Sequence, residues 1–431
     1  MPEVIPPTPR VRSIQRAALI LLVLSGVVCF MDRAALSIAN PLVRHDFGLS
    51  IGEMGALLSA FGWAYALAQV PVGALIDRLG PRRLLAVGMA LWSAAQLGCG
   101  FVTGMGQLFA ARLVLGVAES PQMPCGGRAT RDWFAVRDRG LATGLFNGAS
   151  SLGTTLSAPI LTGLMLAFGW RWMFIIMGVV GLIVAAVWYV LYREPTEVRL
   201  TEAEHRYRSQ GEKAREIRRI GVREWGGLFR SPTTWGLLVG YFGVVYMQWV
   251  FYGWLPGYLE IQRHMSVAYT GLAASIPYGF GFLGSLCAGR LSDVLSRRGI
   301  GPIESRKWPL CVVLLLEAIF VVAAAEVPGN TEAIVCVSVA MFLGTGGTTF
   351  SWGLVTVLAP ANCTGSLGSL MNFGGQVGGA LAPLVTGLIA QAAGSFTPAL
   401  FFGATMPLFA SVAYFALIRG PIVLGEQPGL A

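Results

Sequence analysis

Charged side chains at five positions interrupt long apolar runs of the sequence: Asp32, Arg33, Arg112, Glu119 and Glu317. A charge at the centre of a membrane costs at least about 2.5 kcal/mol, so such residues usually pair with one another or line a water-filled pathway. Carboxylate and guanidinium groups suit proton exchange and the binding of organic anions. The chemistry that they indicate is transport of a charged solute, which needs no covalent step.

Asp32 and Arg33 are adjacent, and neighbouring residues of a helix point about 100° apart. Arg33 is a suitable clamp for a substrate carboxylate, because guanidinium is always charged and binds carboxylates through two parallel hydrogen bonds. Asp32 would then face the fourth predicted span and exchange a proton. The alternative is an ion pair that only holds helices together.

Arg112 and Glu119 are two helical turns apart and share a face, with Gly116 between them to admit a neighbouring helix. A buried carboxylate beside an arginine can gain and lose a proton as its surroundings change. We therefore predict proton coupling for Glu119 with Arg112 as its partner, against the alternative of a structural salt bridge. Glu317 has no motif around it, and a local hydrogen bond is expected for it.

The elements that carry these residues are apolar helices. Hydrophobic residues make up 55% of the chain and charged residues 12%, with a mean hydropathy of +0.64, whereas soluble proteins carry about 25% charged residues. The prediction is an all-α membrane protein with 12 transmembrane helices in two pseudo-symmetric six-helix bundles, 1–192 and 232–431, joined by a polar linker at 193–231. A span needs about 20 apolar residues, and the predicted spans lie near 17–42, 52–76, 83–104, 106–127, 140–166, 171–192, 233–256, 268–290, 308–328, 333–358, 364–392 and 397–418.

Positive charge lies almost entirely on one side of this topology. With the N-terminus in the cytoplasm, 26 of the 31 Lys and Arg residues fall in cytoplasmic segments and three on the external side (Arg44, Arg171 and Arg263), while Arg33 and Arg112 lie within spans. The positive-inside rule therefore predicts cytoplasmic N- and C-termini, and it explains the net charge of +9 without a nucleic-acid partner. Seven scattered cysteines and three histidines show no metal-site or catalytic-triad spacing, so we expect neither an enzyme nor a metal or organic cofactor.

Two loop segments repeat between the halves. Residues 73–83 read GALIDRLGPRR and residues 289–299 read GRLSDVLSRRG, each with an aspartate four residues after a glycine and paired arginines beyond it. Duplicated halves are typical of transporters with alternating access. An aspartate at this place can pair with arginines of the 4–5 loop and hold the cytoplasmic side closed. The predicted gating residues are Asp77, Arg78, Arg82, Arg128, Arg131 and, in the weaker copy, Asp293.

The loop motif, its copy and the layout of six plus six helices resemble the major facilitator superfamily. More narrowly, MDR in the first span, RLVLGVAESPQMP (112–124), RDWFAVRDRG (131–140), GWRWMF (169–174) and YGWLPGYL (252–259) resemble its anion:cation symporter family. The resemblance covers nearly the whole chain. It implies import of small organic anions such as hexuronates, aldonates or aldarates, a role in proton coupling for Glu119, the proton gradient as the energy source, and a monomer in the bacterial inner membrane.

Polar and aromatic side chains on the predicted spans complete a candidate sugar-acid site. Most of them form pairs on one helix face, and the alternative for each is a hydrogen bond that only holds helices together. The resemblance puts Tyr65, Trp352 and Asn372 near the substrate. The full set is Arg33, Tyr65, Gln69, Asn147, Ser150, Ser351, Trp352, Asn372 and Gln376.

Two positions depart from the family pattern. Many relatives carry a polar pair where this chain has Cys29 and Phe30, and some sugar-acid carriers have a longer amide where this chain has Ser150. Both departures leave the substrate open, and a more apolar anion such as an aromatic acid is an alternative. The expected function is proton symport of a sugar acid, with an organic-anion exporter or antiporter as the other alternative.

Overall fold

The computed structural model describes residues 6–135, 138–210, 226–360 and 364–422, with the backbone alone at residues 70, 73, 74, 77, 140, 364 and 365. The regular elements in these ranges are helical. In chain order they are α1 (Pro9–Phe47), α2 (Ile51–Cys99), α3 (Met105–Glu119), α4 (Gln122–Trp133), α5 (Arg139–Phe168), α6 (Trp170–Leu191), a 3-10 turn (Pro195–Glu197), α7 (Glu202–Ser209), α8 (Pro232–Gly257), a π-helical turn (Tyr258–Gln262), α9 (Val267–Arg297), α10 (Glu304–Glu326), α11 (Asn330–Leu358), α12 (Thr364–Ala393) and α13 (Thr397–Leu417).

Ten helical segments of the described chain are long and apolar enough to cross a membrane. The segments predicted as the third and fourth spans are helical as well. The third is the second half of α2, after a break at Gly80, whose φ of 72° lies in the left-handed region that favours glycine. The fourth is divided at Ser120 and Pro121 into α3 and α4, because proline lacks the N–H that would continue the helix.

The chain divides into two compact units, and the first contains Met1–Leu49 and Trp63–Glu216. In this unit α1 packs mainly against α5 and also against α6 and α4. Glycine permits the close approach of α1 and α5. A Cβ atom added to Gly26 would lie 2.8 Å from the Ala149 Cβ, and one added to Gly153 would lie 2.8 Å from the Val27 carbonyl oxygen. Close glycine packing therefore holds α1 just before Asp32.

The second unit contains Ser50–Gly62 and Ile217–Ala431. In it α8 packs on α12 and α13, α9 packs on α11, and α10 packs on α11 and α13. The first turns of α2 belong to this unit because they bind α12: the Gly52 N–H donates to Gln391 Oε1 at 2.7 Å, and the Ser59 hydroxyl donates to the Ala380 carbonyl. The division of the chain into 1–192, 193–231 and 232–431 remains a prediction.

The polar stretch that follows α6 is docked on the first unit through α7. This helix begins with a capping box, in which the side chains of Thr201 and Glu204 each bind the other's backbone N–H. Glu204 also accepts a hydrogen bond from the Thr8 hydroxyl at 2.8 Å. The Thr201 N–H and then the Thr8 hydroxyl hold the pKa of the Glu204 carboxyl below its ordinary value. Tyr207 donates to Asp138 Oδ2 at 2.8 Å, so α7 is fixed to the start of α1 and to the segment before α5.

Candidate functional site

A cluster of ionisable side chains lies inside the first unit. α1 supplies Cys29, Asp32 and Arg33, and α3 supplies Arg112 and Glu119. Asp32 and Glu119 are 0% exposed and Arg112 is 2% exposed. Charged groups at this depth are stable only with partners, so their mutual contacts determine what the cluster can do.

Arg33 and Glu119 form the closest contact of the cluster. Arg33 Nε lies 2.6 Å from Glu119 Oε2, a charge-assisted hydrogen bond between α1 and α3. The Arg33 side chain remains 14% exposed. Its guanidinium carbon lies 4.6 Å from the ring centre of Phe30 and 4.8 Å from that of Tyr65, and these cation–π contacts orient the planar group. Arg33 is thus a positioned guanidinium whose carboxylate partner is Glu119.

The position of Glu119 at the end of α3 follows from the residues after it. Pro121 ends the helix, and the Ser120 carbonyl accepts a hydrogen bond from Gln69 Nε2 at 3.3 Å. The C-terminal end of a helix carries partial negative charge, which disfavours an anionic side chain there. Arg33 offsets this effect, so the charge state of Glu119 depends on where the Arg33 guanidinium is.

Asp32 has different surroundings from its neighbour in the chain. Within the described residues neither of its carboxylate oxygens has a hydrogen-bond partner of normal geometry, although Glu119, Arg112 and Trp92 lie near it. A buried acceptor without a donor costs about 1–3 kcal/mol, and more when it is charged. Asp32 therefore suits proton binding. Arg112 also lies near Glu119, so two acids and two arginines form one cluster.

The other predicted substrate residues of this unit differ in their relation to the cluster. Tyr65 stacks on Arg33 and Gln69 binds the helix end beside Glu119. Asn147 is exposed and Ser150 half-buried on α5. The Ser150 hydroxyl donates to the Asn147 carbonyl at 2.6 Å, one turn back in its own helix.

The predicted residues of the second unit lie on α11 and α12. Trp352 Nε1 donates to the Tyr241 hydroxyl at 3.0 Å, and the indole is 42% exposed. Asn372 and Gln376 are half-buried on one face of α12. This unit therefore presents an oriented indole and, on α12, two amide side chains.

Ser351 is fully buried and bonded within the second unit. Its hydroxyl donates to the Gly347 carbonyl at 2.8 Å and accepts from the Tyr414 hydroxyl at 2.9 Å. Sequence reasoning singled out neither Tyr414 nor Tyr241. Tyr241 and Gln248 lie seven residues apart on one face of α8, and Gln248 Nε2 donates to the Thr348 hydroxyl at 2.7 Å, so their spacing was a usable signal.

Glu317 is the acid of the second unit that no motif surrounds. It is 1% exposed on α10, and its carboxylate packs against Gly344 of α11, where a Cβ atom would collide with it. Its Oε2 has no hydrogen-bond partner in the part of the chain that the structure describes. The side chain thus occupies a helix–helix contact that glycine leaves open.

Arg82, one of the predicted gating residues, is held by several hydrogen bonds. Its Nη1 lies 2.6 Å from Glu197 Oε1, and its Nε and Nη2 donate to the Tyr189 carbonyl at 3.0 and 2.8 Å. Burial alone would raise the pKa of the Glu197 carboxyl, but the Glu194 N–H and the Arg82 guanidinium outweigh it and hold that pKa below its ordinary value. Arg82 therefore ties the end of α6 to the first turn of the linker.

The remaining gating candidates lie in more open surroundings. Arg128 pairs with Asp132 on α4 at 3.1 Å. The Arg131 carbonyl accepts from Arg139 Nη2 at 3.0 Å. The side chains of Arg78, Arg131 and Asp293 are exposed. The Asp77 side chain lies outside the described residues, so its predicted contact with the 4–5 loop remains a prediction.

Comparison with known proteins agrees with this architecture. The family described as the Major Facilitator Superfamily matches residues 22–383. A probable L-galactonate transporter of Escherichia coli (strain K12) is 38% identical over 413 residues, which are 96% of this chain and 91% of the relative. A D-galactonate transporter of Escherichia coli O6:H1 is 30% identical over 412 residues, with 93% and 94% covered.

A solved structure supports the same fold. The inward-facing, unoccupied structure of a bacterial homologue of the human lysosomal transporter Spinster superposes with a TM-score of 0.78 at 18% identity, covering 93% of this chain and 96% of that chain. The predicted all-α membrane fold and the predicted superfamily are confirmed. This multi-pass integral membrane protein belongs to the major facilitator superfamily, a family of transporters and not of enzymes.

Proposed function

We propose that this chain imports a sugar acid together with protons by alternating access, and that the substrate is an aldonate such as galactonate. The relatives named as galactonate transporters support the substrate class. The observation that carries the proposal is the Arg33–Glu119 pair at 2.6 Å beside the buried Asp32. In this pair, a guanidinium that can bind a substrate carboxylate contacts a carboxylate that can bind a proton.

The charge of Glu119 links substrate binding at Arg33 to protonation. A substrate carboxylate can replace Glu119 on Arg33 only when Glu119 is neutral, since otherwise a fully buried carboxylate loses its partner. Breaking a buried pair in that way costs about 3–5 kcal/mol, which equals roughly two to four powers of ten in substrate affinity. A proton on Glu119 removes this penalty. Protonation and substrate binding therefore favour each other by the same factor.

Asp32 adds a second proton site. With both acids ionised, Asp32, Glu119, Arg33 and Arg112 carry no net charge, and each proton adds one positive charge that an anion can balance. Protons that arrive from outside thus prepare the cluster for substrate, and their release inside expels it. This balance supports symport, in which anion and proton travel in one direction.

The hydroxyl groups of a sugar acid need polar partners, and the indole of Trp352 offers an apolar wall. Candidates for such hydrogen bonds are Tyr65, which stacks on Arg33, and Gln69, which binds the Ser120 carbonyl beside Glu119. We propose the predicted gating set as the cytoplasmic closure, and a monomer in the bacterial inner membrane with both termini in the cytoplasm. The wider set of substrate candidates comprises Asn147, Ser150, Ser351, Asn372 and Gln376.

Uptake into proteoliposomes tests the proposal. Radiolabelled galactonate, glucuronate and glucarate are offered with and without an imposed inward proton gradient. The gradient is expected to accelerate galactonate uptake in the wild type. Glu119→Gln is expected to abolish that acceleration while exchange of labelled for unlabelled substrate persists. Glu332→Gln, an exposed glutamate at the start of α11, is the matched control and retains the acceleration.

Three outcomes would defeat parts of this proposal. Uptake that ignores the gradient, or that is unharmed in Glu119→Gln, removes proton coupling. Wild-type exchange of labelled for unlabelled substrate, with no net uptake under the imposed proton gradient, identifies an antiporter.

An aromatic carboxylate is a second candidate substrate, because rings flank the arginine. Phe30 and Tyr65 lie 4.6 and 4.8 Å from the Arg33 guanidinium, and Phe30 lacks the hydroxyl that would serve a sugar. Including benzoate in the uptake panel decides between the classes. Competition by benzoate that is stronger than competition by glucuronate would favour the aromatic acid.

A further inference from the structure

Glu119 has a second hydrogen-bond partner besides Arg33. The proposed replacement of Glu119 by a substrate carboxylate on Arg33 gives this partner no role. The Cys29 thiol donates a hydrogen bond to Glu119 Oε2 at 3.3 Å, the same oxygen that accepts from Arg33 Nε. Cys29 and Glu119 are both 0% exposed. Cys29 and Arg33 are four residues apart, so one face of α1 offers two donors to a single carboxylate oxygen.

The other oxygen of Glu119 is in a different environment. Oε1 is buried and has no hydrogen-bond partner among the residues that the structure describes. A proton on Oε2 would meet the hydrogens of a thiol and a guanidinium, whereas a proton on Oε1 would meet none of these donors. Oε1 is therefore the oxygen that is open to a proton.

We infer that Cys29 is a positioning residue for proton coupling: it keeps Glu119 Oε2 bonded to α1 while Arg33 turns to the substrate, and it leaves Oε1 to bind the proton. A thiol suits this task because it is a weak, neutral donor. It orients the carboxylate without adding a positive charge that would hold Glu119 ionised. The inference rests on the proposed function, since it assigns a part of the same coupling step.

Cys29 can be replaced without changing the charge of the groups that surround Glu119. Among the described residues, the titratable and charged groups around Glu119 are Cys29, Asp32 and Arg33 of α1, Tyr65 of α2 and Arg112 of α3. Replacement of Arg33 or Arg112 changes the charge of the cluster. Replacement of Cys29 removes one hydrogen bond and leaves the charge unchanged, so it separates positioning from electrostatics.

The experiment measures initial galactonate uptake against external pH, from about pH 5 to pH 9, in proteoliposomes with matched amounts of protein. Cys29→Val preserves the approximate volume of the side chain without a donor, Cys29→Ala removes volume and donor, and Cys29→Ser keeps a donor. A carboxylate with one donor fewer holds its proton more tightly. The pH of half-maximal uptake is therefore expected to rise by about half a unit to one unit in the Val and Ala variants.

Two variants complete the comparison. Cys29→Ser is expected to stay close to the wild-type midpoint. Cys125→Val changes another buried cysteine of the same unit and is expected to leave the midpoint where it is. If Cys29→Val does not reach the liposomes, Cys29→Ala alone decides.

Three results would overturn the inference: an unmoved midpoint in Cys29→Val and Cys29→Ala, an equal shift in Cys29→Ser, or an equal shift in Cys125→Val. The last two would assign Cys29 to packing. Wild-type uptake without any pH dependence would instead contradict the proposed function. Wild-type uptake that depends on pH, together with unmoved Cys29 variants, would contradict only the role of Cys29.

Discussion

Replacement of Arg33 by methionine should destabilise the protein in a manner that depends on pH. The variant removes the partner at 2.6 Å from Glu119 Oε2 and leaves a carboxylate that is 0% exposed at the end of α3. Breaking a buried ion pair from one side costs about 3–5 kcal/mol. The weak Cys29 donor remains, so the lower value, about 3 kcal/mol, is expected. For a unit of this size that corresponds to roughly 6–12 °C in midpoint temperature.

The assay is thermal unfolding of purified protein in detergent at pH 7.5 and pH 5. A protonated carboxyl needs no cationic partner, so the loss in Arg33→Met should shrink by at least about half in acid. Adding Glu119→Gln to Arg33→Met should restore most of the stability at pH 7.5, because the carboxylate that lost its partner at the end of α3 is then neutral. Arg206→Met, which breaks an exposed pair with Glu202 on α7, is the control and should cost about 0.5 kcal/mol or less.

The reasoning fails if Arg33→Met unfolds at the wild-type temperature at pH 7.5. It also fails if the loss is the same at both pH values, because a pH-independent loss would come from packing around the long side chain and not from an unpaired carboxylate.

Further predictions concern the second unit and the linker. Gly344→Ala should lose about 1–3 kcal/mol in thermal unfolding, because its Cβ would collide with Glu317, and Glu317→Ala in the same chain should recover part of that loss. Trp352→Phe and Tyr241→Phe should raise the KM of uptake by a similar factor, about five-fold, because each removes the same hydrogen bond, from Trp352 Nε1 to the Tyr241 hydroxyl. Unequal factors would contradict loss of this hydrogen bond as the common cause. The pKa of Glu204 is lowered in the folded protein, so its contribution to the docking of α7 is complete above about pH 4.3 and is lost as the pH falls through the folded value. Hydrogen exchange of residues 202–209, corrected for intrinsic rates, should therefore show faster opening near pH 3.5 than at pH 7, and Glu204→Gln should remove that difference.

The helical spans follow from hydropathy and length, but their ends depend on local chemistry. α1 was expected from residue 17 and begins at Pro9. Thr8 caps it by accepting from the Val11 N–H, and proline fits the first turn of a helix. A search for apolar runs overlooks such a polar first turn. The single span predicted at 106–127 runs across Pro121, whereas the structure divides it into α3 and α4 and leaves Glu119 at a helix end.

The sequence predicts which residues form the candidate site, but it does not predict which of them contact one another. Spacing within one helix showed that Arg112 and Glu119 share a face. The contact partner of Glu119 comes from another helix, since Arg33 of α1 binds it at 2.6 Å, and the distance between helices depends on packing such as that at Gly26. In the sequence, Cys29 stands out only as a departure from the family pattern, because a hydrogen bond from a thiol to a carboxylate on a different helix produces no periodic pattern.

For the proposed function, the Arg33–Glu119 contact also sets a threshold for which anions can bind. Without a solute, Arg33 is occupied by Glu119, a carboxylate of the same chain that lies 2.6 Å away. Chloride and acetate offer few additional contacts to offset the cost of about 3–5 kcal/mol of separating that buried pair. A solute with further groups to bind can offset this cost, so the proposed coupling would use the proton gradient for such solutes and not for common ions.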